Sequence, residues 1–297
     1  MIFAAIDIGS NAVRLLFSHV HEQKGKVIFK KGELIRLPIR LGDDAFVREE
    51  ISKEKVEKLV TAMKGFSEII KVFDVKGFKA CATSAMRDAK NGKEIIQRIK
   101  SEAGIEVEII DGKTEAATIF SNHVEEMLDP KQAYLYIDVG GGSTELTLIS
   151  SGKVLASKSF NIGTIRLLCD KVDKEEWETF KNWVKKNTLG IKPLTAIGSG
   201  GNINKLFKMS GKKENKHLSY DKIKDMSDML NAYTYEERVT VLGLNPDRAD
   251  VIIPATKIFL SAMKHAEIEK IIVPQIGLSD GIIHLLYDEY KAKQVKK

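Results

Sequence analysis

One short run, Ile137-Asp-Val-Gly-Gly-Gly-Ser-Thr-Glu-Leu-Thr-Leu148, holds two acids, three glycines and two hydroxyls at its centre. Glycine buries no side chain and loses more backbone freedom on folding than any other residue, so the run is a poor piece of core. It suits a place where a ligand closely approaches the backbone. Exposed N–H groups of a tight glycine turn, with the Ser143 and Thr144 hydroxyls beside them, form a nest for phosphate oxygens. Gly141, Gly142, Ser143 and Thr144 are therefore candidate phosphate donors. Asp138 and Glu145 flank the turn. Two carboxylates next to phosphate repel it unless a cation lies between, and hard oxygen ligands with phosphate suit Mg²⁺. The run is not a P-loop, because no Gly-Lys-Ser/Thr follows, and Glu145 stands where a dinucleotide fingerprint would have its last glycine. A glycine-rich β-turn with solvated acids is the competing reading.

A weaker copy lies upstream. Ile6-Asp7-Ile8-Gly9-Ser10-Asn11-Ala12-Val13-Arg14-Leu15 aligns without gaps on Ile137–Leu146, at an offset of 138 − 7 = 131 residues. Each copy reads as an apolar strand, an acid, a glycine turn and a second strand. Each is followed by a Gly-Lys turn and a third strand, Gly25–Phe29 and Gly152–Ala156. A repeat of a β-hairpin unit predicts two related domains. A third turn, Gly198-Ser-Gly-Gly201, leads into a helix, whose N-terminus favours anions; it serves equally as a turn that lets helix and strand pack.

The elements that position these turns follow from periodicity. Val56, Leu59, Val60, Met63, Phe66, Ile70 and Phe73 recur at helical spacing after Ser52 as cap. Phe78–Ala82 reads as a strand, Thr83–Asn91 as a loop and Glu94–Ala103 as a helix. Val107–Ile110 is a strand, with a helix after it near Thr114–Glu126. In the second half a helix starts at Asn202. Thr234–Glu237 fits a capping box. Asn245-Pro246 marks a turn before a helix reaching about Ala266, Lys270–Val273 is a strand and Gly281–Tyr290 a helix. Strands and helices mixed in both halves predict an α/β protein with a mixed sheet in each domain. The expected division is residues 1–120 and 121–280, with a last helix, about 281–297, packing back on the first domain.

The 297 residues carry 47 Lys plus Arg against 41 Asp plus Glu, a net charge of +6. This modest excess suits an anionic ligand, and the Lys291–Lys297 tail reads as a solvated end. Cys81 and Cys169 form no CxxC pair, so neither a disulfide framework nor a zinc site is expected. The start lacks the basic leader of a signal peptide and no stretch has the length of a membrane span, which makes the cytoplasm the expected compartment and a membrane partner unexpected. His19 and His21 lack an HExxH helix and read as structural. The Gly141-x-Ser143-x-Glu145 spacing fails the nucleophile elbow, and the scattered aromatics give no stacking platform for nucleic acid.

Taken together, Asp7–Asn11 (DIGSN), Ala82–Asn91 (ATSAMRDAKN), Asp138–Glu145 (DVGGGSTE), Ile162–Leu167 (IGTIRL), Ile197–Gly201 (IGSGG) and Asp247–Ile252 (DRADVI) resemble, in order and spacing, the exopolyphosphatase and guanosine pentaphosphate phosphohydrolase family. The resemblance covers nearly the whole chain. It implies two RNase-H-like domains of the actin-like ATPase superfamily around an interdomain cleft, Mg²⁺ dependence, and removal of a terminal phosphoryl group by water. The substrate is then inorganic polyphosphate or guanosine pentaphosphate (pppGpp). A polyphosphate or alarmone sensor without turnover, and an ATPase or sugar kinase, are the other readings. The resemblance also allows a homodimer. Three departures stand out: Ala12 where serine is usual, Asp111-Gly-Lys-Thr-Glu115 with one acid fewer, and Ile253-Pro-Ala255 where a glycine-containing stretch is usual.

The resemblance further implies that Glu115 is the catalytic base for water. The residues alone fit equally well a first-turn acid favoured by the helix dipole. Asp138 and Glu145 would hold Mg²⁺, with Asp7 as a lesser ligand. Ser10, Asn11 and Gly200 would join the phosphate contacts, and Arg87 would clamp phosphate with its planar fork. Arg14 and Arg248 would either touch substrate or form surface and interdomain ion pairs.

Overall fold

A computed structural model describes residues 1–121, 129, 131–213 and 217–295. The chain divides into two compact units, Met1–Asn122 with Gly277–Lys297, and His123–Ile276. No helix among the described residues is long and apolar enough to cross a membrane.

The first unit begins with β1 (Ile2–Ile8), β2 (Val13–Gln23) and β3 (Lys26–Leu37), then α1 (Leu41–Arg48), α2 (Lys53–Val72), β4 (Gly77–Ala82), α3 (Ser84–Asp88), α4 (Gly92–Ala103), β5 (Val107–Ile109) and α5 (Gly112–Phe120). Its sheet has the order β3-β2-β1-β4-β5. β1 pairs antiparallel with β2 and parallel with β4. Nearly all of β1 is buried, as expected of a strand covered on both faces. The β2–β3 loop is two residues long, Lys24 and Gly25, both at positive φ, the primed turn that matches strand twist. The stretch expected as a loop at Thr83–Asn91 contains helix α3. Its first residues are buried, against α1, α4 and β4, and tertiary burial overrides the weak local signal of five residues. α5 starts at Gly112, with the Asp111 carboxylate accepting from Thr114 N–H; residues 122–126 of the expected helix lie outside the described residues.

The second unit repeats the plan with β6 (Ala133–Val139), β7 (Thr144–Ser150), β8 (Lys153–Phe160), α6 (Thr164–Leu168), α7 (Lys174–Thr188), β9 (Leu194–Ser199), α8 (Gly201–Met209), β10 (His217–Ser219), α9 (Tyr220–Ala232), α10 (Tyr235–Thr240), α11 (Pro246–Ala249), α12 (Ile252–His265) and β11 (Lys270–Ile272). The sheet order is β10-β11-β9-β6-β7-β8. Its β8-β7-β6-β9-β11 portion reproduces the first sheet strand for strand. The β7–β8 loop again has two residues at positive φ, Ser151 and Gly152. The core joins Leu135, Ile137 and Leu146 of the sheet to Phe180 of α7 and Ile258 and Phe259 of α12, each such side chain contributing about 1.5–3 kcal/mol on burial. The capping box at Thr234 and Glu237 is present. The single helix expected from Pro246 to Ala266 is two, α11 and α12, separated at Asp250–Val251. Pro254 lies in the first turn of α12, where its missing N–H costs no helix bond.

The last helix, α13 (Leu278–Val295), belongs to the first unit and packs on α5 and β1. Phe3 meets Tyr287 and Tyr290 edge to face. A Cβ on Gly281 would lie 1.8 Å from the Thr118 carbonyl oxygen, so the α5–α13 approach requires glycine. The tail expected to be solvated from Lys291 is exposed at Ala292–Gln294 and is also helical, to Val295, and Lys291 donates to the Glu22 carboxylate at 3.1 Å. Lys296 and Lys297 lie outside the described residues.

Candidate active site

In each unit the residues of interest gather at the carboxyl ends of the parallel strands, where open α/β sheets bind ligands. In the first unit, β1 ends at Ile8 and the turn to β2 closes with Gly9 N–H donating to the Ala12 carbonyl at 3.2 Å. The same turn is held from outside: Gly42 N–H donates to the Ser10 carbonyl at 2.8 Å and Arg40 N–H to the Asn11 carbonyl at 3.0 Å. Ser10 Oγ and Ser84 Oγ are 2.9 Å apart and share a hydrogen bond. Arg87, on α3, donates from Nη1 to the Ile110 carbonyl at 2.8 Å, which places its guanidinium beside the start of α5. Glu115 follows one turn into that helix and is buried, which a charge serving only the helix dipole does not require.

Asp7 and Arg14 are paired. They are opposite each other in the β1–β2 register, with Arg14 Nη1 2.5 Å from Asp7 Oδ2. The structure thus gives the carboxylate of the lesser metal candidate to an arginine, and gives Arg14 an intra-unit partner. Cys81 lies opposite Asp7 on β4. Burial pushes its thiol up to about 12, which disfavours the thiolate.

In the second unit the β6–β7 turn closes the same way, Gly140 N–H donating to the Ser143 carbonyl at 2.9 Å. Asp138 and Glu145 face each other in the β6–β7 register, and both are buried. Glu145 Oε1 accepts from Ser159 Oγ on β8 at 2.7 Å. Like charges directly opposite on a sheet destabilise it. At the repeat-equivalent positions, 138 − 131 = 7 and 145 − 131 = 14, the first unit carries an acid and a base. The second unit carries two acids, a hard-oxygen donor set that fits a divalent cation.

α6 braces the glycine turn. Ile165 N–H donates to the Gly141 carbonyl at 2.8 Å, Thr164 N–H to the Gly140 carbonyl at 3.0 Å, and Arg166 Nε to the Gly142 carbonyl at 2.6 Å. A Cβ on Gly163 would come within 2.4 Å of the Gly141 oxygen, so only glycine lets α6 approach so closely. Thr144, an expected phosphate donor, is fully buried and its hydroxyl donates to the Ile162 carbonyl. Ser143 is buried at the end of the turn. Gly200 caps α8 at φ +105, and a Cβ there would meet the Val139 oxygen at 2.7 Å. Arg248 donates to the Gly201 carbonyl, bringing the DRAD arginine onto the third glycine turn.

Thus Asp7, Ser10, Asn11, Arg14, Arg87 and Glu115 belong to the strand ends of the first unit, and Asp138, Gly141, Gly142, Ser143, Thr144, Glu145, Gly200 and Arg248 to those of the second. Sequence reasoning passed over Ser84, Ser159, Gly163 and Arg166. Gly163 and Arg166 lie within the IGTIRL run, whose one glycine three residues before an arginine was the available signal; nothing local marks Ser84 or Ser159.

The model of the Ppx/GppA phosphatase family matches residues 17–289. A bifunctional 3-dehydroquinate synthase/phosphatase of Fusobacterium nucleatum is 30% identical over 295 residues, covering 92% of this chain and 44% of that protein. A guanosine-5'-triphosphate,3'-diphosphate pyrophosphatase of Photobacterium profundum is 23% identical over 312 residues, covering all of this chain and 61% of that protein. The chain therefore spans about half of the length of these curated relatives. Among solved structures, an exopolyphosphatase of Cytophaga hutchinsonii superposes with a TM-score of 0.83 at 25% identity, over 97% of this chain and 98% of that one.

Proposed function

The chain belongs to the Ppx/GppA phosphatase family, and from that premise we propose that it hydrolyses the terminal phosphoanhydride of inorganic polyphosphate and releases orthophosphate. The observation that carries this reading is the pair of buried carboxylates, Asp138 opposite Glu145, beside a braced glycine turn. The exopolyphosphatase with the same fold supports the substrate class.

Phosphoanhydride hydrolysis is mostly positioning and charge neutralisation. Asp138 and Glu145 would hold Mg²⁺, which when bound neutralises phosphoryl oxygens. Backbone N–H groups of Gly141 and Gly142 and the Ser143 hydroxyl orient phosphate. In the first unit Ser10, Asn11 and Arg87 do the same. Glu115 orients the attacking water and takes its proton, a role for which a carboxylate in a buried setting is suited. Arg248, laid over the Gly200–Gly201 turn, adds positive charge there.

A second reading, hydrolysis of the 5′-terminal phosphate of pppGpp, is supported by the name of the Photobacterium relative. Side-by-side phosphate release from long polyphosphate, short polyphosphate, pppGpp and ATP separates the two. Faster release from polyphosphate than from pppGpp is expected, and none in excess chelator. Turnover of ATP alone would remove both readings. With a net charge of +6 spread along the chain, we expect the site to hold few phosphates, short chains to be favoured and cleavage to be distributive. Electrophoresis of a uniform long polyphosphate during digestion should then show the whole population shortening gradually.

A further inference from the structure

The second unit carries a basic groove that shares no residue with the turns at its strand ends. Helix α12 buries Ile252, Ala255, Phe259, Ala262 and Met263. Its opposite stripe, Lys257, Leu260, Ser261, Lys264 and His265, follows the i, i+3, i+4, i+7, i+8 spacing of one helix face. Helices α7 and α9 both pack on α12. Between them lies an open groove of about 600 Å³, to which α7 contributes Lys181 and α9 contributes Tyr220 and Ser227.

The charge in this groove is one-sided. Lys181, Lys257, Lys264 and His265 line it, and Lys185 stands near enough to act on His265. No carboxylate is among the residues that line it; Glu178, on α7, is held by Lys181 at 2.8 Å. Among the described residues neither Lys257 nor Lys264 forms an ion pair with a carboxylate. Lys257 sits over the Trp177 ring at 5.4 Å. Burial, followed by Lys185, Lys181 and Lys264, holds the His265 imidazole below its ordinary value. A helix C-terminus favours cations and accounts for Lys264 and His265 in the last turn of α12. It does not account for Lys257 and Lys181, which are in mid-helix, or for their convergence on one groove.

We propose that this groove binds a multiply charged phosphate anion at a second site, apart from the strand ends. Ammonium groups lining one groove bind phosphate as point charges, the Ser261 hydroxyl and the Tyr220 phenol offer neutral donors, and Ile253 and Leu260 form an apolar floor. The shared chemistry is a chain of three or more phosphates, supplied by inorganic polyphosphate or by a nucleoside triphosphate.

Calorimetric titration with tripolyphosphate and, separately, with ATP tests this. Glu115→Gln protein is used as the background, so that turnover does not consume the probe. The comparison is the same protein carrying Lys181→Gln, Lys257→Gln and Lys264→Gln. The expected result is a binding component present in the parent and weakened about tenfold or more in the triple variant, from the loss of three near-surface charge contacts. A tripolyphosphate signal identifies inorganic chains as ligand; a signal with ATP alone identifies the nucleotide. Lys257→Glu by itself, with an unchanged melting curve, should weaken the same component. Superimposable isotherms for parent and variants with both probes would overturn the proposal. The lysine substitutions in an otherwise wild-type chain should leave phosphate release from short substrates unchanged, so the groove and the hydrolase reading fail independently.

Discussion

Asp138 and Glu145 face each other across β6 and β7 at the positions where Asp7 and Arg14 face each other across β1 and β2. The same duplicated hairpin thus places an acid opposite a base in one unit and an acid opposite an acid in the other. In the first unit the ion pair is complete, with Arg14 Nη1 2.5 Å from Asp7 Oδ2. In the second, Ser159 donates a hydrogen bond to Glu145, which orients that carboxylate.

Glu145→Gln should therefore move stability and metal response in opposite directions. Without metal, removing one of two facing charges should leave the stability equal or raise it, by about 0.2–1 kcal/mol. The stabilisation that Mg²⁺ gives the wild type should shrink or vanish, and the Mg²⁺ concentration for half-maximal phosphate release should rise. Asp138→Asn should behave alike. Thermal melts in chelator and across a Mg²⁺ series check both halves; a metal-induced shift as large as wild type in both variants would remove the cation from this pair.

Glu115→Gln should cut phosphate release by about 10²–10⁴, the range for loss of a general base. The amide keeps the shape, so binding of a non-hydrolysed analogue should stay near wild type. Turnover within a few-fold of wild type would move the proton acceptor elsewhere.

Gly163→Ala should act through the turn it touches. The new methyl group would press on the Gly141 and Gly142 backbone at 2.4–2.5 Å, so α6 or the phosphate turn must shift. An activity loss of about a hundredfold is expected, of the size a 1 Å misplacement produces. Arg166→Ala should give a smaller loss in the same direction, because it removes only the bond to the Gly142 carbonyl. Steady-state phosphate release on both variants decides; full activity in Gly163→Ala would show that the turn is not held in place by α6.

Asp44 gives a pH signature. Burial pushes its carboxyl up, but hydrogen bonds from Ser52 and Lys55 outweigh this and hold it below the ordinary carboxylate value. A depressed folded-state value means that the stabilisation is full above the unfolded value, about 3.9, and is lost as pH falls through the lower folded one. Asp44→Asn should be less stable than wild type at pH 7, and the gap should close below about pH 4. Urea midpoints of both proteins between pH 7 and pH 3 provide the check; a gap that stays constant would assign the effect to packing.

The amino-acid sequence by itself determined the duplication, the three glycine turns and the α/β class, because each rests on local chemistry. Strand alternation, Gly in primed turns and the Thr234–Glu237 capping box act within a few residues and need no distant partner. It also singled out Asp138 and Glu145, since seven residues of hairpin bring them together. Tertiary structure alone decided what depends on distant chain. Helix α3 forms inside Thr83–Asn91 because its first residues are buried. The Thr144 hydroxyl is given to Ile162 and the Gly142 carbonyl to Arg166, across 18 and 24 residues. Ser10 meets Ser84 across 74. The exposed tail continues helix α13, which packs on β1, and Lys291 meets Glu22, 269 residues away. Such contacts form only after loop closure has been paid for by burial elsewhere, so no local run of residues announces them.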